Sequence, residues 1–119
     1  MSTRHTDRTL RIGGTAIEMP WPILDVLERD GIVLVLLDPD SYLADASYKL
    51  ARDQGAPAMR NLIAFNSCGD RLWDAELPES SDYYYKVRSE SPLAAYSFSS
   101  FLCELDLSNG RIARKTFLK

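Results

Sequence analysis

Histidine is nearly missing from this chain: His5 is the only one. A Ser-His-Asp or Cys-His arrangement would have to take its base from this one residue, and it lies in a polar N-terminal stretch expected to be a flexible tail over residues 1–7. Cysteine is nearly as scarce. Cys68 and Cys103 are the two present, without the spacing of a metal site, and free thiols are expected over a disulfide. Long apolar runs are absent too. The longest, Ile32 to Leu37, falls far short of a membrane span, and the first eight residues contain no apolar segment of a signal peptide, so a cytoplasmic protein that does not enter the membrane is expected. Gly13-Gly14 lacks the spacing of a phosphate loop. These gaps point away from an enzyme, with no catalytic residue, no metal and no cofactor expected.

Carboxylates are plentiful, and their pattern matters more than their number. Between Ile12 and Tyr48 stand seven acids (Glu18, Asp25, Glu28, Asp30, Asp38, Asp40 and Asp45) against Arg29 alone. Between Asp70 and Asp82 stand five more (Asp70, Asp74, Glu76, Glu79 and Asp82) against Arg71. From Tyr83 onward the balance turns positive, yet the pI of about 5.1 and the lack of aromatics interleaved with Arg111, Arg114, Lys115 and Lys119 argue against nucleic acid. A charged edge strand that resists aggregation explains that stretch. Asp74 and Glu76 share one strand face, as do Glu104 and Asp106. A solvated face accounts for such pairs better than a glycosidase-like acid and base. Asp38-Pro39-Asp40 is read as a turn rather than a calcium loop.

Alternation of apolar and polar residues between turn signals predicts a mainly β chain: a single domain over 1–119, with about nine or ten short strands in an antiparallel meander. Arg8–Ile12 and Thr15–Met19 form a first hairpin across Gly13-Gly14. Ile23–Glu28 and Ile32–Leu37 form a second across Asp30-Gly31, a strong hairpin pair. The unalternating Ile32–Leu37 run implies burial on both faces and so a central strand. Residues 41–53 have loose helical spacing, with Asp40 or Ser41 as candidate N-cap, and suggest one short helix or a loop. The second half then runs strand by strand through 61–66, 71–77, 83–88, 93–98, 101–107 and 111–118. Trp73, Phe65, Phe101 and Phe117 are expected in the core.

An internal echo stands out at a separation of about forty residues. Ala64-Phe65-Asn66-Ser67-Cys68-Gly69-Asp70-Arg71-Leu72 matches Glu104-Leu105-Asp106-Leu107-Ser108-Asn109-Gly110-Arg111-Ile112 in pattern. With Ala64-Phe65-Asn66, Gly69 and Leu72-Trp73 in place, the segment resembles the blade repeat of quinoprotein-type β-propellers; the second copy has Ala113 where the Trp would stand. A closed propeller needs at least four blades, about 160 residues, so the resemblance implies open, twisted, blade-like sheets. In size, class and charge the chain also resembles small immunity proteins of bacterial polymorphic toxin systems, including contact-dependent growth inhibition. That resemblance implies a cytoplasmic protein that neutralises a cognate toxin domain.

Tyr83-Tyr84-Tyr85 cannot all face inward, because successive strand residues point to opposite sides. With Tyr84 inside, Tyr83 and Tyr85 stand outside beside acids. Tyrosine supplies contact area at low entropic cost, and acids steer a cationic partner. Asp74, Glu76, Glu79, Asp82, Tyr83 and Tyr85, with Asp38 and Asp40 as a second set, are therefore the expected contacts for a basic toxin domain, a nuclease being the natural candidate. The alternative is a structural or scaffolding module that self-associates through an edge strand.

Overall fold

The computed structural model describes residues 3–88 and 91–118. Three antiparallel sheets follow one another along the chain. The first contains β1 (Thr3–His5), β2 (Thr9–Ile12) and β3 (Thr15–Glu18) in that order. The second is a meander of β4 (Ile23–Arg29), β5 (Ile32–Leu37), β6 (Leu62–Phe65) and β7 (Arg71–Asp74). The third repeats that layout with β8 (Tyr84–Arg88), β9 (Ala94–Ser97), β10 (Phe101–Leu105) and β11 (Ile112–Phe117). Between β5 and β6 the chain leaves the sheet for α1 (Pro39–Leu43) and α2 (Ala46–Asp53).

The mainly β, antiparallel reading holds, and Ile32–Leu37 is an inner strand paired on both sides. Its unbroken apolar run has a direct cause. Val33, Val35 and Leu37 join one core with Leu10, Ile12 and Met19 of the first sheet side. Leu34 and Leu36 point the other way, into a second core with Tyr84, Ala95, Cys103 and Leu105 of the third sheet. The middle sheet is thus buried on both faces, and each fully buried aliphatic side chain contributes about 1.5–3 kcal/mol. The Asp30-Gly31 turn takes the two positive φ angles, 51° and 79°, that such a tight hairpin requires.

The repeated segments fall on equivalent places: third strand, turn and fourth strand of the two four-stranded meanders. The turns differ by one residue. Gly69 N–H donates to Asn66 O at 3.1 Å, whereas Gly110 N–H reaches back one position further, to Asp106 O at 2.7 Å. In the second turn the Ser108 hydroxyl and backbone N–H both donate to Asp106 and hold its carboxyl below the usual range. A depressed carboxyl stabilises the turn above its unfolded pKa, and that contribution disappears as pH falls through the folded value.

Buried side-chain hydrogen bonds fasten the second sheet to the third. Asn61, fully buried, donates from Nδ2 to Leu37 O (3.0 Å) and Tyr84 O (2.8 Å), while its Oδ1 accepts from Tyr84 N–H (3.0 Å). Trp73 donates from Nε1 to Leu107 O at 3.0 Å and lays its ring against Gly110.

Several sequence expectations need correction. Residues 3–5 are not a flexible tail: Thr3, Arg4 and His5 pair with Ile12, Arg11 and Leu10. Residues 1 and 2 of that stretch lie outside the described residues. The expected single helix is two, because the Asp38 and Asp45 side chains each cap a separate helix start, which displaces the cap from Asp40 or Ser41. Asp38-Pro39-Asp40 accordingly opens a helix. Phe117 is 59% exposed rather than in the core, since it lies near the end of β11, an edge strand of the third sheet. Both cysteines are free thiols, Cys68 exposed and Cys103 buried.

The outward faces of the stack differ in chemistry. On the first sheet, Leu10 and Ile12 point inward, so the other face presents Thr9 opposite Glu18 and Arg11 opposite Ala16. On the third, Ala95 and Cys103 point inward, and Tyr96 stands outward opposite Leu102, with Tyr85 packed near Tyr96.

Candidate functional site

A groove of about 460 Å³ opens where α2 approaches the start of the third sheet. Its helical wall is set locally. The Asp38 carboxylate accepts from Asp40 N–H and Ser41 Oγ, both at 3.1 Å, with Pro39 in the first turn where its missing donor costs nothing. Asp45 accepts from Tyr48 N–H at 3.0 Å and starts α2. Tyr48 Oη accepts from Met59 N–H at 2.9 Å, and Arg52 donates to Ala56 O and, at 2.7 Å, to Ser81 Oγ. These bonds fix α2 against the strand that returns to β6 and the loop that leads to β8. Leu43, Tyr48, Lys49, Arg52 and Asp53 line this side.

The opposite wall is Ser81, Asp82, Tyr83 and Phe98. Asp82 is buried, and its carboxylate accepts from Tyr83 N–H (2.8 Å), Ser99 N–H (3.1 Å) and the Ser99 hydroxyl. That anchorage holds the β9–β10 turn beside the loop before β8. The Tyr83 and Phe98 rings stack with centroids 5.1 Å apart and planes 19° from parallel. Phe98 nevertheless remains 64% exposed, the largest exposure of any big apolar side chain among the described residues. Burial, followed by the charges of Asp40 and Asp82, raises the Tyr83 phenol above its ordinary pKa.

Behind Tyr48 lies Tyr42, packed edge-on against it at 5.0 Å and almost wholly buried. Its hydroxyl has no hydrogen-bond partner among the described residues. Burial foremost, then Tyr48, Tyr83, Asp38 and Asp82, pushes its pKa upward, so the phenol stays protonated and neutral. Removing an unsatisfied buried hydroxyl is neutral or favourable. Tyr42→Phe is therefore expected to keep or raise stability, by up to about 1 kcal/mol, in denaturant unfolding; a loss of more than that amount contradicts the assignment.

The expected contact residues separate into groups. Asp82 and Tyr83 line the groove; Asp38 and Asp40 do not, though their charges help raise the Tyr42 and Tyr83 phenols, and Tyr85 stands next along the same outer sheet face, 49% exposed. Asp74 and Glu76 do not join them as free acids. Asp74 is paired with Arg71 at 2.7 Å, and Glu76 Oε1 accepts from Ile112 N–H at 2.9 Å, tying the second sheet to the third. Asp82 is likewise spent on its own chain. Glu79 is exposed and lines a second hollow of about 500 Å³ on the other side of Arg52. Leu43, Tyr48 and Phe98 were not singled out by the sequence. The usable signal was Phe98 two residues after Tyr96, which places both on the outward face with Tyr83 and Tyr85.

His5 is exposed on β1, and its ring Nδ1 lies 3.3 Å from the Thr6 carbonyl oxygen. Among the described residues no group of three or more His, Cys, Asp or Glu is placed to hold a metal ion. Nor is any helix there long and apolar enough to cross a membrane.

Stacked antiparallel sheets with one aromatic-walled groove define a small β protein whose distinctive surface is a cleft between a helix and a sheet. The chain belongs to the family described as Domain of unknown function (DUF7957), whose model matches residues 1–117. No curated protein and no solved structure matches it.

Proposed function

We propose that this protein is a non-enzymatic binding partner, a cytoplasmic immunity protein that neutralises a cognate toxin domain by covering it. The observation that carries the reading is the stacked Tyr83–Phe98 pair, held in place by the buried Asp82 yet open to solvent at Phe98. Rigid, desolvatable aromatics beside a cleft are what dominate protein interfaces. The third sheet offers no comparable use for them: its core is formed on the other face, by Tyr84, Ala95, Cys103 and Leu105.

Charge supports a cationic partner at the groove end of this surface. Asp53 and Asp82 balance Lys49 and Arg52 in the groove lining, and Asp38 and Asp40 add negative charge beside it, where they act on the Tyr42 and Tyr83 phenols. Lys86 and Arg88 mark the far end. A toxin acting on nucleic acid presents cations for phosphate, so such a surface competes with its substrate. Self-association through an edge strand has less support, because the exposed edge β11 carries Arg114 and Lys115, which discourage pairing.

The test is genetic and then biophysical. The reading frame immediately upstream is expected to encode a secreted protein with a toxic C-terminal domain, and co-expression of this chain is expected to restore growth. Phe98→Asp should leave the unfolding free energy within about 0.5 kcal/mol, as for exposed sites generally, while abolishing rescue. A variant that still rescues, or a toxin domain that shows no association in light scattering, overturns the reading.

A further inference from the structure

We propose that the outward face of the third sheet, at the end away from the groove, binds single-stranded nucleic acid, with bases stacked on Tyr85 and Tyr96 and phosphates held by Lys86, Arg88 and Arg114. The inference goes beyond the inhibitor reading and stands without it. Register fixes which side chains share this face. Ala95 and Cys103 are fully buried and Val87 pairs with Ala95, so these three point into the core. Their neighbours along each strand therefore point outward, in rows that cross the whole sheet. One row is Lys86, Tyr96, Leu102 and Thr116. The next is Arg88, Ala94, Glu104 and Arg114. Tyr85 sits at the irregularity of β8 beside the first row, with its ring 6.3 Å from that of Tyr96.

Charge selects the occupant. From Tyr83 onward the chain has six bases against three acids, whereas residues 1–82 have eight bases against fourteen acids. The low pI thus belongs to the rest of the molecule, and the third sheet is locally cationic. Neither Lys86 nor Arg88 has an ion-pair partner among the described residues. The one acid in the two rows, Glu104, lies 3.9 Å from Arg114, whose side chain is 74% exposed. Three cations therefore face one carboxylate. The bases of β11 have no aromatic between them in the sequence, but strand pairing supplies Tyr96 to the same face from two strands away. A single strand of nucleic acid carries what this surface lacks: a phosphate at every step, and beside it a flat ring free to stack. A duplex hides its rings in base pairs, and an acidic peptide brings the charge without them.

The probe is a fluorescein-labelled oligothymidylate of about ten nucleotides, within the footprint of small single-strand binders, titrated with the full chain and read by fluorescence anisotropy. Saturable binding is expected at low salt, with log K falling against log salt concentration at a slope of about −2, the value for three phosphate contacts. Lys86→Gln and Arg114→Gln should each weaken binding by about twofold to fivefold and flatten that slope by about 0.7. Tyr96→Ala should weaken it by about fivefold or more, while Tyr96→Phe, which keeps the ring, should bind as the parent does. Tyr85 is exposed, so Tyr85→Ala leaves the fold intact and should give a loss of similar size without depending on the half-buried Tyr96 position. The same oligonucleotide annealed to its complement should bind at least about fivefold more weakly.

No saturable binding, a slope near zero, equal binding of the duplex, or indifference to Tyr85→Ala and both glutamine variants overturns the assignment. An oligoglutamate peptide that binds as tightly as the oligothymidylate overturns it too, and makes this face a docking surface for an acidic protein instead.

Discussion

Asn61→Ala is expected to cost about 3–5 kcal/mol, from three lost hydrogen bonds at about 1 kcal/mol each and the stranding of a buried donor. The donor is Tyr84 N–H, which has the Asn61 side-chain oxygen as its acceptor, and two carbonyls, Leu37 O and Tyr84 O, lose their Nδ2 donor. Water cannot replace the amide easily, because Asn61 is fully buried. Against a total stability of about 5–15 kcal/mol for a domain of this kind, the loss places the variant near unfolding at room temperature. Urea unfolding followed by far-UV circular dichroism measures it. A midpoint shift worth less than about 1 kcal/mol contradicts the claim that this amide holds the second and third sheets together.

Asn61→Asp refines the test through pH. An aspartate keeps the acceptor for Tyr84 N–H but faces two carbonyls without a proton to offer, so burial and these neighbours raise its folded pKa. A raised carboxyl pKa makes stability greatest below the unfolded value of about 3.9. That stability is lost as pH rises through the folded one. Asn61→Asp should therefore be closest to the parent in acid and furthest from it at neutral pH.

Gly110→Ala is the second large effect. Gly110 has φ of 74°, where a Cβ costs about 1–2 kcal/mol. The added carbon would also lie 2.6 Å from Trp73 Cδ2 and closer still to Cε3. Overpacking of a rigid indole adds about 1–3 kcal/mol. The ring has no easy retreat, because Trp73 Nε1 is bonded to Leu107 O on the same turn. A combined loss of about 2–5 kcal/mol is expected, with a change in the buried Trp73 fluorescence. A double-mutant cycle with Trp73→Leu should show coupling of at least about 1 kcal/mol, since removing the indole removes the clash. Full additivity would mean that Gly110 matters only for its backbone.

What the sequence makes legible follows from local chemistry. Period-2 alternation and turn pairs place the strands from β2 onward within a few residues, and the unbroken Ile32–Leu37 run identifies the doubly buried strand. Tyr84 inside and Tyr85 outside also follow from alternation alone. The helices are harder. Asp38 and Asp45 each cap a start seven residues apart, a spacing in which a loose apolar pattern reads as one segment.

The groove is legible only in part, because its walls meet through tertiary contacts. Tyr83 and its acidic neighbours are visible in sequence, yet nothing local says that Asp82 turns inward to bind Ser99 or that Glu76 serves Ile112 N–H. A carboxylate in a charge count has one sign. In the folded chain it is a hydrogen-bond acceptor first, and Asp74, Glu76 and Asp82 are each used up close to home.

The contrast between the two outward faces has a further consequence. A layer that ends in arginine, threonine and glutamate is finished, whereas one that ends in Tyr83, Tyr85, Tyr96 and Phe98 is not. Because the two ends of the pile are unlike, stacking copies head to tail would press threonine, arginine and glutamate against exposed rings, a contact with little chemical complementarity.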